Sequence, residues 1–476
     1  MIVSLIIVPL IGALAAFLMP ADRYRPWVVA AVAAIHTVLA VEAVRTKMGE
    51  AASDWLQLDP LGGLVLLVIS TIFLICAMYC IGYLRLRAER PNRVFCTALL
   101  GFLAMTSLVA LAQHLTVLWV AMEATTLATA VLLYFNQNRR SLEATWKYLM
   151  IGSVGIALAL LGTLFLAYGA LLGLGEPTLL FSELVRRAGH LPAPWVRTAF
   201  VFLLVGYGTK MGLAPLHTWK PDAYGEAPGV VGALLAGGLT TGAFLALLRV
   251  YRIVDAAGQG LFARELLVVF GLLSMATAAV FMIGQRDFKR LLAYSSVEHM
   301  GILVLGIGLG GAGIFAALLH VVNNALTKSL LFLAAGNIHR AFKSKRLEDV
   351  TGALQRLPLS AGLFLAGFFA ISGSPPFGPF VSELSILTTA MDSHRYLVSA
   401  LYLILLAVVF IGMGSSVLAV VLGVPPDDTE GRSFRESPFK TIPIIVSLAL
   451  VIWMGVWIPE SVSRLLHAAA RLLGGS

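Results

Sequence analysis

The chain reads as a succession of apolar runs of about 18–25 residues separated by short polar turns. That is the length an α-helix needs to cross a hydrocarbon core near 30 Å at 1.5 Å per residue. The runs fall near 1–19, 27–44, 61–84, 94–112, 115–135, 143–171, 196–215, 229–252, 261–285, 291–309, 313–341, 358–392, 396–423 and 440–458. They predict an all-α polytopic membrane protein of about fourteen transmembrane helices. The longest polar loops, 172–195 and 424–439, are too short for a folded module outside the membrane. Two runs are interrupted. In 196–215, Lys210 follows a stretch of apolar chain and Pro215 stands five residues later. The run 358–392 is too long for one straight crossing and is broken by Ser372-Gly373-Ser374-Pro375-Pro376-Phe377-Gly378-Pro379. Proline removes a ladder donor, and a broken helix at membrane depth is tolerated only inside protein or against a hydrated cavity. The broken helices, the seventh and the twelfth, enter from opposite sides, which points to two inverted repeats with a site near each break. The expected division is 1–90 for helices 1–3, 91–255 for the first repeat, 256–423 for the second, and 424–476 for helix 14 and a short tail.

Composition changes this picture little. Of 476 residues, 59% are apolar and 12% charged, and mean hydropathy is +0.89, which excludes a soluble fold. The first run lacks a basic lead and a cleavage site, so it reads as a retained helix. The net charge of +9 is a topology signal rather than a nucleic-acid surface. Alternate loops beginning with Arg23 and Arg25, and including Arg139, Arg140, Lys220, Arg286, Lys289, Arg290, Arg432, Arg435 and Lys440, hold about 20 basic residues, against about 11 on the opposite side. The richer side is expected to be cytoplasmic, with both termini on the other side. Cys76, Cys80 and Cys96 lie within apolar runs without paired ligand spacing, so no iron–sulfur or zinc site is implied.

The candidate chemistry lies in the few polar residues of these runs. A charge at mid-membrane costs about 2.5–3.5 kcal/mol even on insertion scales, so each needs a partner or water. Glu123 is the only acid in its run and a candidate partner for Lys210, either as a static salt bridge or as a proton-sharing pair. Lys147 is near its helix end with Glu143 at i−4, where a lysine can snorkel to the interface. His320, Asn324 and Lys328 share one helix face at i, i+4 and i+8. Glu383 is the lone carboxylate of its half-helix. Glu298 and His299 are adjacent and point to different faces, so at most one is expected to serve a path. Thr240 and Thr241, mid-run, are expected to bond helix to helix. Together these groups form a candidate proton relay, in which a proton arriving at one site displaces one from the next.

Four segments, KMGLAPLHTWKPDAYGEAPG (210–229), DFKRLLAYSSVEHMG (287–301), HVVNNALTKSLLFLAAG (320–336) and SGSPPFGPFVSEL (372–384), resemble the antiporter-like membrane subunits. These include the L, M and N chains of bacterial complex I, the large subunits of Mrp-type cation/proton antiporters, and the pumping subunits of group 4 [NiFe]-hydrogenases. The resemblance covers about residues 90–420. The T-W-K-P-D, S-V-E-H-M-G and S-P-P-F-G-P-F stretches look most like the hydrogenase-4 F-type branch of formate hydrogenlyase-like complexes.

The resemblance implies fourteen helices with two inverted five-helix repeats. It implies relay roles for Glu123, Lys147, Lys210, His320, Lys328 and Glu383, and His217 and His299 are added as candidates from their motifs. It also implies a bacterial or archaeal cytoplasmic membrane and further antiporter-like subunits. Peripheral cytoplasmic redox subunits would carry iron–sulfur clusters and a Ni–Fe centre, with no redox centre or metal in this chain. One departure stands out. The eighth-helix lysine of complex I chains falls on Thr241, so water, His217 or His320 must bridge the half-channels, or coupling is weaker. The chain also ends soon after helix 14, without the long lateral helix of the L chain. Two alternatives remain at this stage: an Mrp-type cation/proton antiporter subunit, and a scaffold whose polar axis no longer conducts.

Overall fold

The computed structural model describes residues 1–424 and 436–475; Arg432 and Arg435, counted above among basic loop residues, lie outside that range. The protein is helical, apart from a short hairpin pairing Ala51–Ser53 with Leu56–Gln57. The first helices are α1 (Ser4–Leu18), α2 (Arg25–Thr46), α3 (Pro60–Arg85), α4 (Arg93–Leu111), α5 (Leu115–Leu133) and α6 (Arg139–Leu174). A short α7 (Phe181–Arg186) precedes α8 (Ala193–Met211), α9 (Trp219–Glu226), α10 (Gly229–Leu234) and α11 (Thr240–Val254). Next come α12 (Gly260–Met282), α13 (Phe288–Leu309), α14 (Ala312–Phe342), α15 (Ala353–Arg356), α16 (Pro358–Ile371) and α17 (Gly378–Asp392). The last are α18 (Tyr396–Leu422), α19 (Pro438–Val456) and α20 (Glu460–Arg471).

Among the described residues, ten helices are long and apolar enough to cross a membrane. One of these, Gly229–Met282, would be roughly 80 Å long if straight, more than twice a hydrocarbon core. Gly258, at φ +73°, interrupts it, so the rod divides there. The helix carrying Lys210 is not among the ten, because its charge and glycines lower its hydropathy. The C-terminal tail is not an irregular end: α20 packs on α3 and α14.

Polar residues collect where lipid does not reach. In α13 and α14, 94% and 89% of the apolar window is buried, against 33% in α18 and 39% in α2, α6 and α19. The outer helices instead present Leu127, Val154, Leu397 and Ile411 to the surroundings. Close approach of α6 and α8 depends on small residues, since a Cβ on Gly155 would meet Thr209 at 2.7 Å and one on Gly206 would meet the Ala159 nitrogen at 2.6 Å. Buried Arg249 closes helix ends together: its guanidinium donates to the Ala110 carbonyl at 2.7 Å and pairs with Asp59 at 3.2 Å.

Loops fall into two sets, each bonded within itself. Arg87 reaches Asn136, Asn136 reaches the Glu226 carbonyl, Lys345 holds Glu226, and Arg340 reaches the Leu86 carbonyl. In the other set, Gln113 binds the Trp55 carbonyl, Leu115 binds the Leu179 carbonyl, and Arg395 pairs with Glu265. Alternate loops of the sequence thus meet at the same end of the bundle. Arg25, Lys220, Lys289 and Lys440 leave the tally of loop charges, because they are buried rather than facing a membrane surface.

Candidate functional site

The first polar cluster forms where α8 ends. Gly212 adopts φ +78°, and the amides of Gly212 and Leu213 both donate to the Gly208 carbonyl at 2.8 Å, stopping the helix before Pro215. Lys210 sits in that last turn, at the negative end of the helix dipole, with its side chain 1% exposed. Its ammonium reaches Glu123 of α5 at 3.4 Å and bonds the Thr126 hydroxyl one turn on. From α6, Gly152 leaves the room, because a Cβ there would lie 3.1 Å from Lys210 Nζ. Glu123 is 23% exposed, so the pair joins a sealed cation to a partly open carboxylate.

The second cluster gathers α13, α14 and α17. Lys328, fully buried, donates to Ser295 Oγ at 2.7 Å. His299 Nδ1 and His320 Nε2 are 2.9 Å apart, and His320 Nδ1 is 2.9 Å from Ser382 Oγ. Glu383 Oε1 lies 3.9 Å from His299 Nδ1, and Glu298 Oε2 lies 3.8 Å from His299 Nε2. Glu298 and His299 therefore serve one cluster, against the expectation that adjacency would separate them. A helix enclosed on nearly every side has polar neighbours on more than one face. The turn between α16 and α17 seats Glu383: Gly373 has φ +67°, and a Cβ there would lie 2.2 Å from Glu383 Oε2. Gly373→Ala is expected to destabilise the protein by about 1–3 kcal/mol through clash and backbone strain, readable as a lower unfolding temperature in detergent.

The remaining candidates lie apart from these clusters. Lys147 is 46% exposed and held by Glu143 at 2.7 Å and Asp222 at 2.9 Å. It lines a polar cavity of about 320 Å³ with Arg140, Asp222, Glu226, Arg290 and Lys345. His217 is buried beside the stacked rings of Phe281 and Tyr294, with its backbone carbonyl bonded by the Lys220 amide at 2.9 Å. Asn324 is buried beside Lys328's helix face, with its Oδ1 unpartnered among the described residues. Thr240 and Thr241 donate to the Ala236 and Gly237 carbonyls of their own helix, at 2.6 and 2.7 Å. Those carbonyls belong to a π-helical stretch, Leu235–Leu239, so the two hydroxyls act within the helix rather than between helices.

Sequence reasoning missed Ser295, Ser296, Ser382 and above all Lys220, which packs among these groups. A lone lysine in Trp219-Lys220-Pro221 was the available sign, masked by flanking prolines that read as loop. One metal arrangement is sterically open: ligand atoms of His299, His320 and Glu383 lie within 4.8 Å of one another. Both ring nitrogens of His320 are already hydrogen-bonded, and Lys328 acts on Glu383 and His299. Cys76, Cys80 and Cys96 are free and buried.

Comparison with known proteins gives the family and the fold. The family model described as NADH:quinone oxidoreductase/Mrp antiporter, transmembrane, matches residues 112–410. A hydrogenase-4 component F homolog of Methylacidiphilum infernorum is 37% identical over 358 residues, 74% of this chain and 73% of the relative. NADH-quinone oxidoreductase subunit N of Desulforudis audaxviator is 30% identical over 98% of both chains. A chain of the membrane-bound sulfane sulfur reductase, an archaeal respiratory membrane complex, superposes with a TM-score of 0.89 over 100% of this chain and 98% of its own; at 22% identity this concerns the fold alone.

Proposed function

The chain belongs to the NADH:quinone oxidoreductase/Mrp antiporter transmembrane family, and from that premise we propose that it translocates protons as an antiporter-like membrane subunit of a redox-driven complex. A group 4 [NiFe]-hydrogenase-type assembly is the reading favoured by the similarity to the hydrogenase-4 component F homolog. The observation that carries the proton role is the pair of buried ionisable clusters, Lys210–Glu123 and Lys328–Glu298–His299–His320–Glu383, each beside an interruption in the helices. We read the fold as about fourteen crossings, with α4–α11 and α12–α18 as inverted repeats and α8/α9 and α16/α17 as the broken members. The basic loop set is then cytoplasmic, and both termini are on the other side.

In this reading proton transfer is the chain's own chemistry. Lys210 can hand a proton toward Glu123, and gain or loss of charge there changes the field felt by the next lysine. In the second cluster the two imidazoles are in direct hydrogen-bond contact, and the 3.9 Å between His299 and Glu383 is a gap that one water or a rotamer change closes. Lys147 and its charged cavity form the proton entrance from the loop side. The iron–sulfur clusters and Ni–Fe centre that handle electrons lie in partner subunits.

The test is isolation of the intact complex from membranes, followed by reconstitution into vesicles. Copurifying iron–sulfur and nickel subunits and proton uptake driven by electron transfer are expected. Cation/proton exchange without redox subunits would assign the chain to an Mrp-type antiporter instead.

A further inference from the structure

Nothing charged on α10 or α11 connects the two clusters, and the Thr241 hydroxyl is committed to the Gly237 carbonyl. The connection lies instead on α9. Lys220 is fully buried, and its side chain lies on Gly212, two residues beyond Lys210: a Cβ at Gly212 would come within 2.3 Å of Lys220 Cε. At its far end, Lys220 Nζ donates to Ser296 Oγ at 3.1 Å and to the Ser296 carbonyl at 3.4 Å. The preceding residue, Ser295, holds Lys328 Nζ at 2.7 Å. Two buried lysines, one from each side, thus end on consecutive serines of α13.

The two hydrogen bonds to Ser296 satisfy donors of the amine but do not neutralise the charge of a buried ammonium. Among the described residues no carboxylate lies within 4.0 Å of Lys220 Nζ. The residue also stands in the first turn of α9, where the helix dipole disfavours a cation. The Tyr224 ring, 5.8 Å from Nζ, is its one aromatic neighbour on that helix. Lys328, His217 and His299 are the other titratable groups close enough to act on it. A lysine so placed makes sense as a group whose charge comes and goes.

We propose that Lys220 is the central proton carrier of this chain, linking the Lys210–Glu123 cluster to the Lys328 cluster through Ser296 and Ser295. The proposal rests on the relay reading above. The step requires no co-reactant: the lysine amine accepts a proton from the first cluster to become an ammonium, and returns it toward the second.

The experiment compares Lys220→Met and Lys210→Ala in the intact complex reconstituted into vesicles, reading protons taken up per electron transferred. Lys220→Met is expected to lower that ratio about tenfold or more, with subunit composition unchanged. A ratio within about twofold of the parent in Lys220→Met, with loss in Lys210→Ala, would overturn the link and leave the relay reading standing. Unchanged ratios in both would overturn the relay reading itself. Should Lys220→Met fail to assemble, Lys220→His provides the second measurement. It retains a titratable group of lower basicity and is expected to shift the pH profile of uptake by about one unit toward acid. An unshifted profile overturns the proposal.

Discussion

Lys210→Ala is expected to lower proton uptake per electron by about a hundredfold, the scale at which removal of a proton-transferring group is felt. The substitution removes the cation that Glu123 meets at 3.4 Å and leaves the Thr126 hydroxyl without its donor. A loss in that variant alone would not distinguish a relay from a static ion pair, because both need the lysine. Lys210→Arg does distinguish them. Arginine keeps the positive charge and can still pair with Glu123, yet it does not release its proton in proteins. Uptake is therefore expected to fall in Lys210→Arg nearly as far as in Lys210→Ala. Retention of parental uptake by the arginine variant would make the pair a structural salt bridge and remove Lys210 from the path.

The second large effect is expected at His320, with a similar loss of about a hundredfold in His320→Ala. Transfer through the His299–His320 pair depends on which imidazole nitrogen carries the proton. When Ser382 Oγ donates its single hydrogen to the Pro379 carbonyl, 3.0 Å away, it accepts from His320. His320 Nδ1 is then the donor, and its Nε2 is left as the acceptor for His299 Nδ1–H at 2.9 Å. His299 Nε2 is left bare and faces Glu298 at 3.8 Å, buried and without a hydrogen-bond partner among the described residues. A proton delivered there can leave through Nδ1 to His320, since imidazole passes protons between its two nitrogens. Ser382→Ala keeps both rings and releases only the tautomer, so a milder loss of about tenfold is expected. Equal uptake in parent and His320→Ala vesicles would exclude the imidazole pair from the route.

The residues that the sequence marked most clearly were isolated charges in long apolar runs. Lys210 and Glu123 were legible as partners because Glu123 was the lone charge in its run and Lys210 the one charge deep in its own, and burial without a partner costs too much. Glu383 was legible on the same ground, beside a proline- and glycine-rich break. Lys220 was not legible, because Pro215 and Pro221 make its segment look like a loop at the membrane surface, and it was counted with the surface charges. Only the return of α9 against Gly212 and α13 places it inside. That Glu298 and His299 lie in one cluster was not legible, because facing arguments on a single helix assume one polar side, whereas α13 is enclosed by several helices.

The sequence by itself determined that the chain is helical, lies in a membrane and carries charges that need partners, because apolar length and the cost of burying a charge are properties of local composition. It also determined where α8 stops and where α16 gives way to α17, since proline and glycine act on their own backbone. Which charge meets which was decided only by the tertiary structure. The 2.9 Å contact of His299 with His320, and the neighbouring serines that hold Lys220 and Lys328, join residues from helices far apart in sequence. Helical periodicity fixes the face a residue occupies on its own helix, but the neighbour on that face is set by packing of the whole bundle.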